Sequence, residues 1–233
     1  MKPDAVIDIP QPWLENALEQ LDLRRRDRCL VLTCPTQAHL GAVSQIVGRT
    51  ASIVVVEPDE KLAKLASRGN HEQLEVLAYE PKGSESFGTF DALLACPLTT
   101  MGWSIELWGD LIAPNLRPGG RFVIDLPGET LCEPLQRAWK KVGGDEGALR
   151  DLHGPAESTF AQYLRERGLR SVEAAMGTHM LHLESPWALA DLIQNRDGTN
   201  GLMPDLELAL VEDLQTNGPV DVVFHRTRVH GLR

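Results

Sequence analysis

The residues best placed for chemistry follow short apolar runs. Cys29-Leu30-Val31-Leu32 leads into Thr33-Cys34-Pro35-Thr36-Gln37-Ala38-His39, where a nucleotide-binding α/β chain carries an acid and a glycine-rich turn. Glycines there admit positive φ and let the backbone come close to a ligand, whose polar tail takes the free N–H groups. In this chain Pro35 removes a donor, and Thr33, Gln37 and His39 put side chains into the approach. A second stretch, Cys96-Pro97-Leu98-Thr99-Thr100-Met101-Gly102-Trp103, follows the run at 90–95, at the edge where open α/β sheets hold ligands. Cys96, Thr99, Met101 and Trp103 are therefore candidates for the wall of a small-molecule site, with packing beneath a lid as the competing reading for Met101 and Trp103.

Other reactive residues carry less. His179, His182 and Glu184 fall on an extended segment, where residues three apart point to opposite faces, so a shared metal is not expected. His153 sits in a loop, where it is either a general base near neutral pH or simply solvated. Cys34 and Cys96 lie near the same sheet edge, but nothing marks either as an activated nucleophile. Trp108, Trp139 and Trp187 fall on helices at core-like spacing and read as packing; Trp187 would line an apolar acceptor pocket if the helices around it form a lid.

The elements that must position these residues are legible in the apolar pattern. Pro12 opens a helix whose Leu14, Ala17, Leu18 and Leu21 recur at i, i+3, i+4 and i+7. Apolar runs at 29–32, 52–56, 74–78, 90–95 and 121–125 lack alternation, which predicts strands buried on both faces. Helices are predicted between them at about 40–47, at 60–67 with Asp59 as N-cap, and at 104–115, while the polar connection 80–89 is a rim loop. Strand alternating with helix implies a parallel sheet with right-handed crossovers. Beyond Asp125 the pattern gives helices near 131–142 and 156–167, the second closed by Gly168, then an extended segment at 169–184 and a last strand at 220–229. Helices near 186–196 and 204–215 form an insertion between these two strands.

Composition bounds the function. A chain of 233 residues fits one domain, and a net charge of −10 argues against a nucleic-acid partner, which needs clustered Lys and Arg. The one basic knot, Arg24-Arg25-Arg26, is surrounded by acids and reads as a solvated helix end. Four unpaired-looking cysteines, no apolar leader after Met1 and no run of about 18 apolar residues predict a reduced, cytoplasmic protein without a membrane span.

The element order, with Phe90-Asp91-Ala92-Leu93-Leu94-Ala95 continuing to Leu116-Arg117-Pro118-Gly119-Gly120-Arg121-Phe122, resembles the class I S-adenosylmethionine-dependent methyltransferases. Within that family it is similar to the small-molecule or acyl-carrier type, with helices inserted before the last strand. The resemblance implies a Rossmann-like α/β fold over 1–233. It would comprise an N-terminal helix in 1–27, a cofactor-binding half at 28–127, and a C-terminal half at 128–233 with an antiparallel hairpin and a helical lid at about 185–218. It further implies that Glu57 accepts hydrogen bonds from the ribose hydroxyls, a task that suits the two acceptor oxygens of a carboxylate. Glu80 would contact the adenine amino group, with Tyr79 as the alternative.

The family's first loop is an acid followed by alternating glycines, and the matching positions here are Thr33, Pro35, Gln37 and His39. Losing one charge-assisted hydrogen bond costs about 1.5–3 kcal/mol, or about ten- to a hundredfold in affinity. Three readings follow: a methyltransferase acting on a small or carrier-bound substrate with a weakened cofactor loop and no metal, a fold that has lost the cofactor and serves as a scaffold, regulatory subunit or binder of another ligand, and a nicotinamide-dependent oxidoreductase. The last is disfavoured because G-x-G-x-x-G is missing too. Whether the chain pairs with a copy of itself or with an unrelated protein stays open.

Overall fold

The computed structural model describes residues 11–33, 37–68, 72–97, 102–130, 132–191 and 202–233. A seven-stranded sheet is built from β1 (Cys29–Leu32), β2 (Ile53–Glu57), β3 (Leu74–Ala78), β4 (Phe90–Ala95), β5 (Leu116–Pro127), β6 (Arg170–Leu183) and β7 (Val220–Leu232), in the order β3-β2-β1-β4-β5-β7-β6. The first five strands are parallel, and β7 runs antiparallel between β5 and β6. The order reverses between β1 and β4, which makes the carboxyl ends of those strands the crevice of the fold.

The continuous apolar runs are explained by helices on both faces. On one face Cys29, Val31, Ile53, Val55, Ala92, Leu94 and Val123 meet α1 (Gln11–Leu21), α2 (Gln37–Val47), α3 (Glu60–Ala66), α5 (Glu133–Lys141), α7 (Trp187–Asp191) and α8 (Met203–Leu214). On the other, Leu30, Leu32, Val54, Val56, Leu93, Phe122 and Ile124 meet α4 (Ile105–Asn115) and α6 (Glu157–Glu166). Successive side chains of one strand thus serve two cores, and neither can be polar. β3 departs from the expectation of burial on both faces: it is one edge of the sheet, and its side chains are only half covered.

Local signals act where they were expected. The Asp59 side chain caps α3 by accepting from Lys61 N (2.6 Å) and Leu62 N (3.1 Å). Gly168 closes α6 with φ +85. The Leu116–Gly120 turn belongs to the start of β5; Gly119 there has φ +77 and donates to the Arg233 carbonyl at 2.8 Å. A Cβ on Gly120 would stand 2.9 Å from the Arg117 carbonyl oxygen, so glycine is needed for the close approach. A 3-10 turn at Glu146–Leu152, which no periodicity announces, follows the break after α5. The rim loop after β3 is pinned by buried Asn115, which accepts from Phe87 N (2.6 Å) and donates to the Glu85 carbonyl (2.7 Å). Of the inserted helices, α8 packs on α5 and is tied to it by Arg137–Asp213 and Lys141–Glu212 pairs. Among the described residues no helix is long and apolar enough to cross a membrane.

Candidate functional site

The carboxyl ends of β1, β2, β3 and β4 bring together Thr33, Glu57, Glu80, Cys96 and Trp103, and the first turn of α2 adds His39. Pro35, Thr99 and Met101 lie outside the described residues, as does the side chain of Gln37, which opens α2. Trp187 begins α7 and is 40 % exposed; α7 packs with α8 on the α5 side of the sheet. Cys34 also lies outside the described residues.

The β2 side of this edge is ordered by its acids. Glu57 is 1 % exposed, and its carboxylate accepts from Asp59 N at 3.1 Å, so the turn into α3 orients it. Beyond β3, Glu80 accepts from the Trp103 indole N–H at 2.8 Å. Trp103 in turn packs on buried Trp108, ring centroids 4.6 Å apart, which ties the segment after β4 to the rim loop.

The β1 side is closed by side chains. Thr33 has φ +58, a left-handed conformation unusual for a β-branched residue, and its N–H continues the sheet to the Val56 carbonyl at 2.8 Å. It is 3 % exposed, and its hydroxyl has no hydrogen-bond partner among the described residues. His39 is equally buried, and both line a narrow crevice with Val31, Leu40, Val43, Leu94 and Cys96 that is too tight for a water-sized sphere. Burial, followed by the positive charge of Arg226, pushes the His39 imidazole down to about 4. The ring is therefore neutral at physiological pH.

A polar cluster that the sequence reading did not single out sits beside this crevice. Asp125, near the end of β5, accepts from Arg226 Nε (2.6 Å) and Arg228 Nε (2.8 Å), both on β7. Asp125 and Arg226 are each 1 % exposed. Arg226 also donates to the Pro97 carbonyl just past β4 (2.7 Å), and its guanidinium lies 5.0 Å from the centre of the Trp13 ring. Arg228 reaches α1 at Asn16 Oδ1 (2.7 Å) and the Trp13 carbonyl (3.1 Å). The signal was available: an acid ending an apolar strand and two arginines at i, i+2 must be paired if that strand is covered on both faces.

The remaining candidates separate. His179 stacks edge-on against Trp13 at 4.2 Å, while His182 pairs with Asp221 at 2.9 Å, and no metal-binding group occurs among the described residues. His153 is exposed, its Nε2 2.8 Å from Gln136 Nε2. Burial pushes the Cys29 thiol up to about 12 and that of Cys132 up to about 11, so neither supplies a thiolate.

No protein-family model matches the sequence, and no curated protein matches it significantly. Solved structures do match. The YcgJ protein of Bacillus subtilis superposes with a TM-score of 0.64 at 11 % identity, over 96 % of this chain and 99 % of its own. A SAM-dependent O-methyltransferase of Thermotoga maritima gives 0.52 at 14 % identity over 95 % of this chain, which spans 66 % of that protein, just under two thirds of its length. The [4+2]-cyclase SpnF gives 0.58 at 14 % identity, over 95 % of this chain and 80 % of its own. With the strand order, these likenesses show that the chain has the Rossmann-like fold of the class I methyltransferases.

Proposed function

We propose that the carboxyl edge of the sheet binds the adenosine part of S-adenosylmethionine next to a small-molecule or carrier-bound acceptor, and that it holds the amino-acid part of the cofactor weakly. The observation that carries this is Glu57: a carboxylate buried at the end of β2 and oriented by the turn into α3, where two acceptor oxygens suit a ribose diol. The fit is unequal along the cofactor. At the adenosine end, Glu57 is in place and Glu80 lies nearby, although the Trp103 indole occupies one of the Glu80 oxygens. At the amino-acid end, Thr33 stands where the ammonium needs an acid, and His39 takes up space that the fold otherwise leaves to glycine. Bound at this edge, S-adenosylmethionine supplies an electrophilic methyl group. The chain's own contribution would be positioning and exclusion of water, with Trp103 and the segment before it as the acceptor wall.

The filled crevice between β1 and α2 favours a second reading, in which the fold has lost the cofactor and holds another ligand or serves as a scaffold. A neighbour of this fold that is named a cyclase is consistent with chemistry other than methyl transfer. Thermal unfolding with S-adenosylmethionine and S-adenosylhomocysteine separates the two. Ligand at about 100 times its dissociation constant stabilises the fold by about 2.7 kcal/mol, a shift of several degrees. The first reading expects that shift and its loss in Glu57→Ala; no shift with either ligand would leave the second.

A further inference from the structure

A wide cleft lies at the opposite, amino end of the sheet. With a volume of about 1200 Å³, it is lined by Arg25, Arg26 and Arg49, by Ser44, Gln45 and Gly48 at the end of α2, and by Thr50 and Gln73. Among the described residues its lining is polar or glycine except for Val47, and Glu72 is the one acid.

The three arginines are uncommitted. In the Arg24-Arg25-Arg26 run, Arg24 is spent on Asp22, and the next acid, Asp27, is spent on Arg121. Arg25, Arg26 and Arg49 form no ion pair among the described residues. They are also not needed to satisfy the end of α2. Backbone N–H groups already serve its last turn, with Arg26 N donating to the Val47 carbonyl at 2.8 Å and Gly48 N to the Ser44 carbonyl at 3.0 Å. Gly48 has φ +80 and leaves room for the Arg25 side chain above it; a Cβ there would stand 3.7 Å from Arg25 Nε. All three arginines are exposed, so their guanidiniums are open to a ligand entering the cleft.

We propose that this cleft binds a compact polyanion of the phosphate class, held by the guanidiniums of Arg25, Arg26 and Arg49. Guanidinium forks match phosphate oxygens in pairs, and no aromatic ring among the described lining residues offers a base a stacking partner. Compactness follows from the charge of the whole chain. At −10, with Glu15, Glu19 and Asp22 close in sequence, it repels a long polyanion while leaving a local positive cleft.

The test is calorimetry of the full chain with pyrophosphate at low salt. Binding is expected, weakened about tenfold or more by Arg25→Ala and by Arg49→Ala. The absence of heat with pyrophosphate, or binding unchanged in both arginine variants, would overturn the proposal. So would tighter binding of a short single-stranded RNA than of pyrophosphate. Titration of Glu57→Ala with pyrophosphate keeps the two ends apart: it should match the unaltered chain whatever happens at the carboxyl edge.

Discussion

Two neighbouring corners of one sheet edge have taken different courses. At the end of β2, Glu57 is buried, aimed by Asp59 N and followed by a capped helix. At the end of β1, 4.7–4.9 Å or so across the ladder in a typical sheet, Thr33 holds a left-handed turn and His39 fills the crevice behind it. Both corners rest on fully buried strands, so the scaffold itself does not decide between binding and closure. On the proposed reading a few side chains in one turn decide it, because close approach of a ligand to a backbone requires missing Cβ atoms, whereas recognition of a diol requires only one well-held carboxylate.

The closed corner is also the more charged in its surroundings, and the largest expected effect lies there. Asp125→Ala leaves Arg226 and Arg228 facing each other without their shared carboxylate, and should cost about 3–5 kcal/mol in urea unfolding. A loss below about 1 kcal/mol would mean that the pair is not what holds β7 against β5 at this end. His39 comes next. Its folded-state value of about 4 lies below the ordinary 6.5, so the unfolded chain takes the proton first as pH falls. Stability is complete above about pH 6.5 and is lost toward pH 4, by about 3 kcal/mol at most. His39→Gln should flatten that part of the pH profile, and an unchanged profile would place the imidazole in contact with solvent.

The loop can then be rebuilt. Thr33→Asp combined with Pro35→Gly, Gln37→Gly and His39→Gly should raise affinity for S-adenosylhomocysteine by about ten- to a hundredfold, since a charge-assisted hydrogen bond contributes about 1.5–3 kcal/mol. Equal affinity before and after would erase the contrast between the corners. The smallest effect belongs to the open corner. Asp59→Ala removes the cap of α3 and should cost about 1 kcal/mol in thermal unfolding while leaving the backbone N–H that orients Glu57.

Much of this was legible in the residues alone. The apolar runs found β1, β2, β4 and β5, because double burial forces continuous apolarity, and the turn Leu116–Gly120 placed β5; β6 and β7, whose burial alternates, read only as an extended segment and a last strand. That β3 would be an edge was not legible: it reads like its neighbours, and only the strand order exposes it. The position of Glu57 at the end of β2 could be read because it ends a strand and begins a turn, both local signals. The Asp125–Arg226–Arg228 cluster went unremarked because its partners lie about a hundred positions apart, and pairing at that range leaves no periodicity in either segment. The basic run was read as a solvated helix end. All three arginines are indeed exposed; what the sequence did not show is that Arg25 and Arg26 line a cleft whose other wall comes from α2 and the turn after it.

The claim that one corner recognises and the other obstructs is tested most directly by comparing two ligands on the unaltered chain, 5′-methylthioadenosine and S-adenosylhomocysteine, which differ by the amino-acid tail. The account predicts that calorimetry finds the two within about threefold of each other, and that Glu57→Ala weakens both. S-adenosylhomocysteine binding a hundredfold more tightly than the truncated nucleoside would contradict it, because the tail would then be held firmly by the corner at Thr33 and His39.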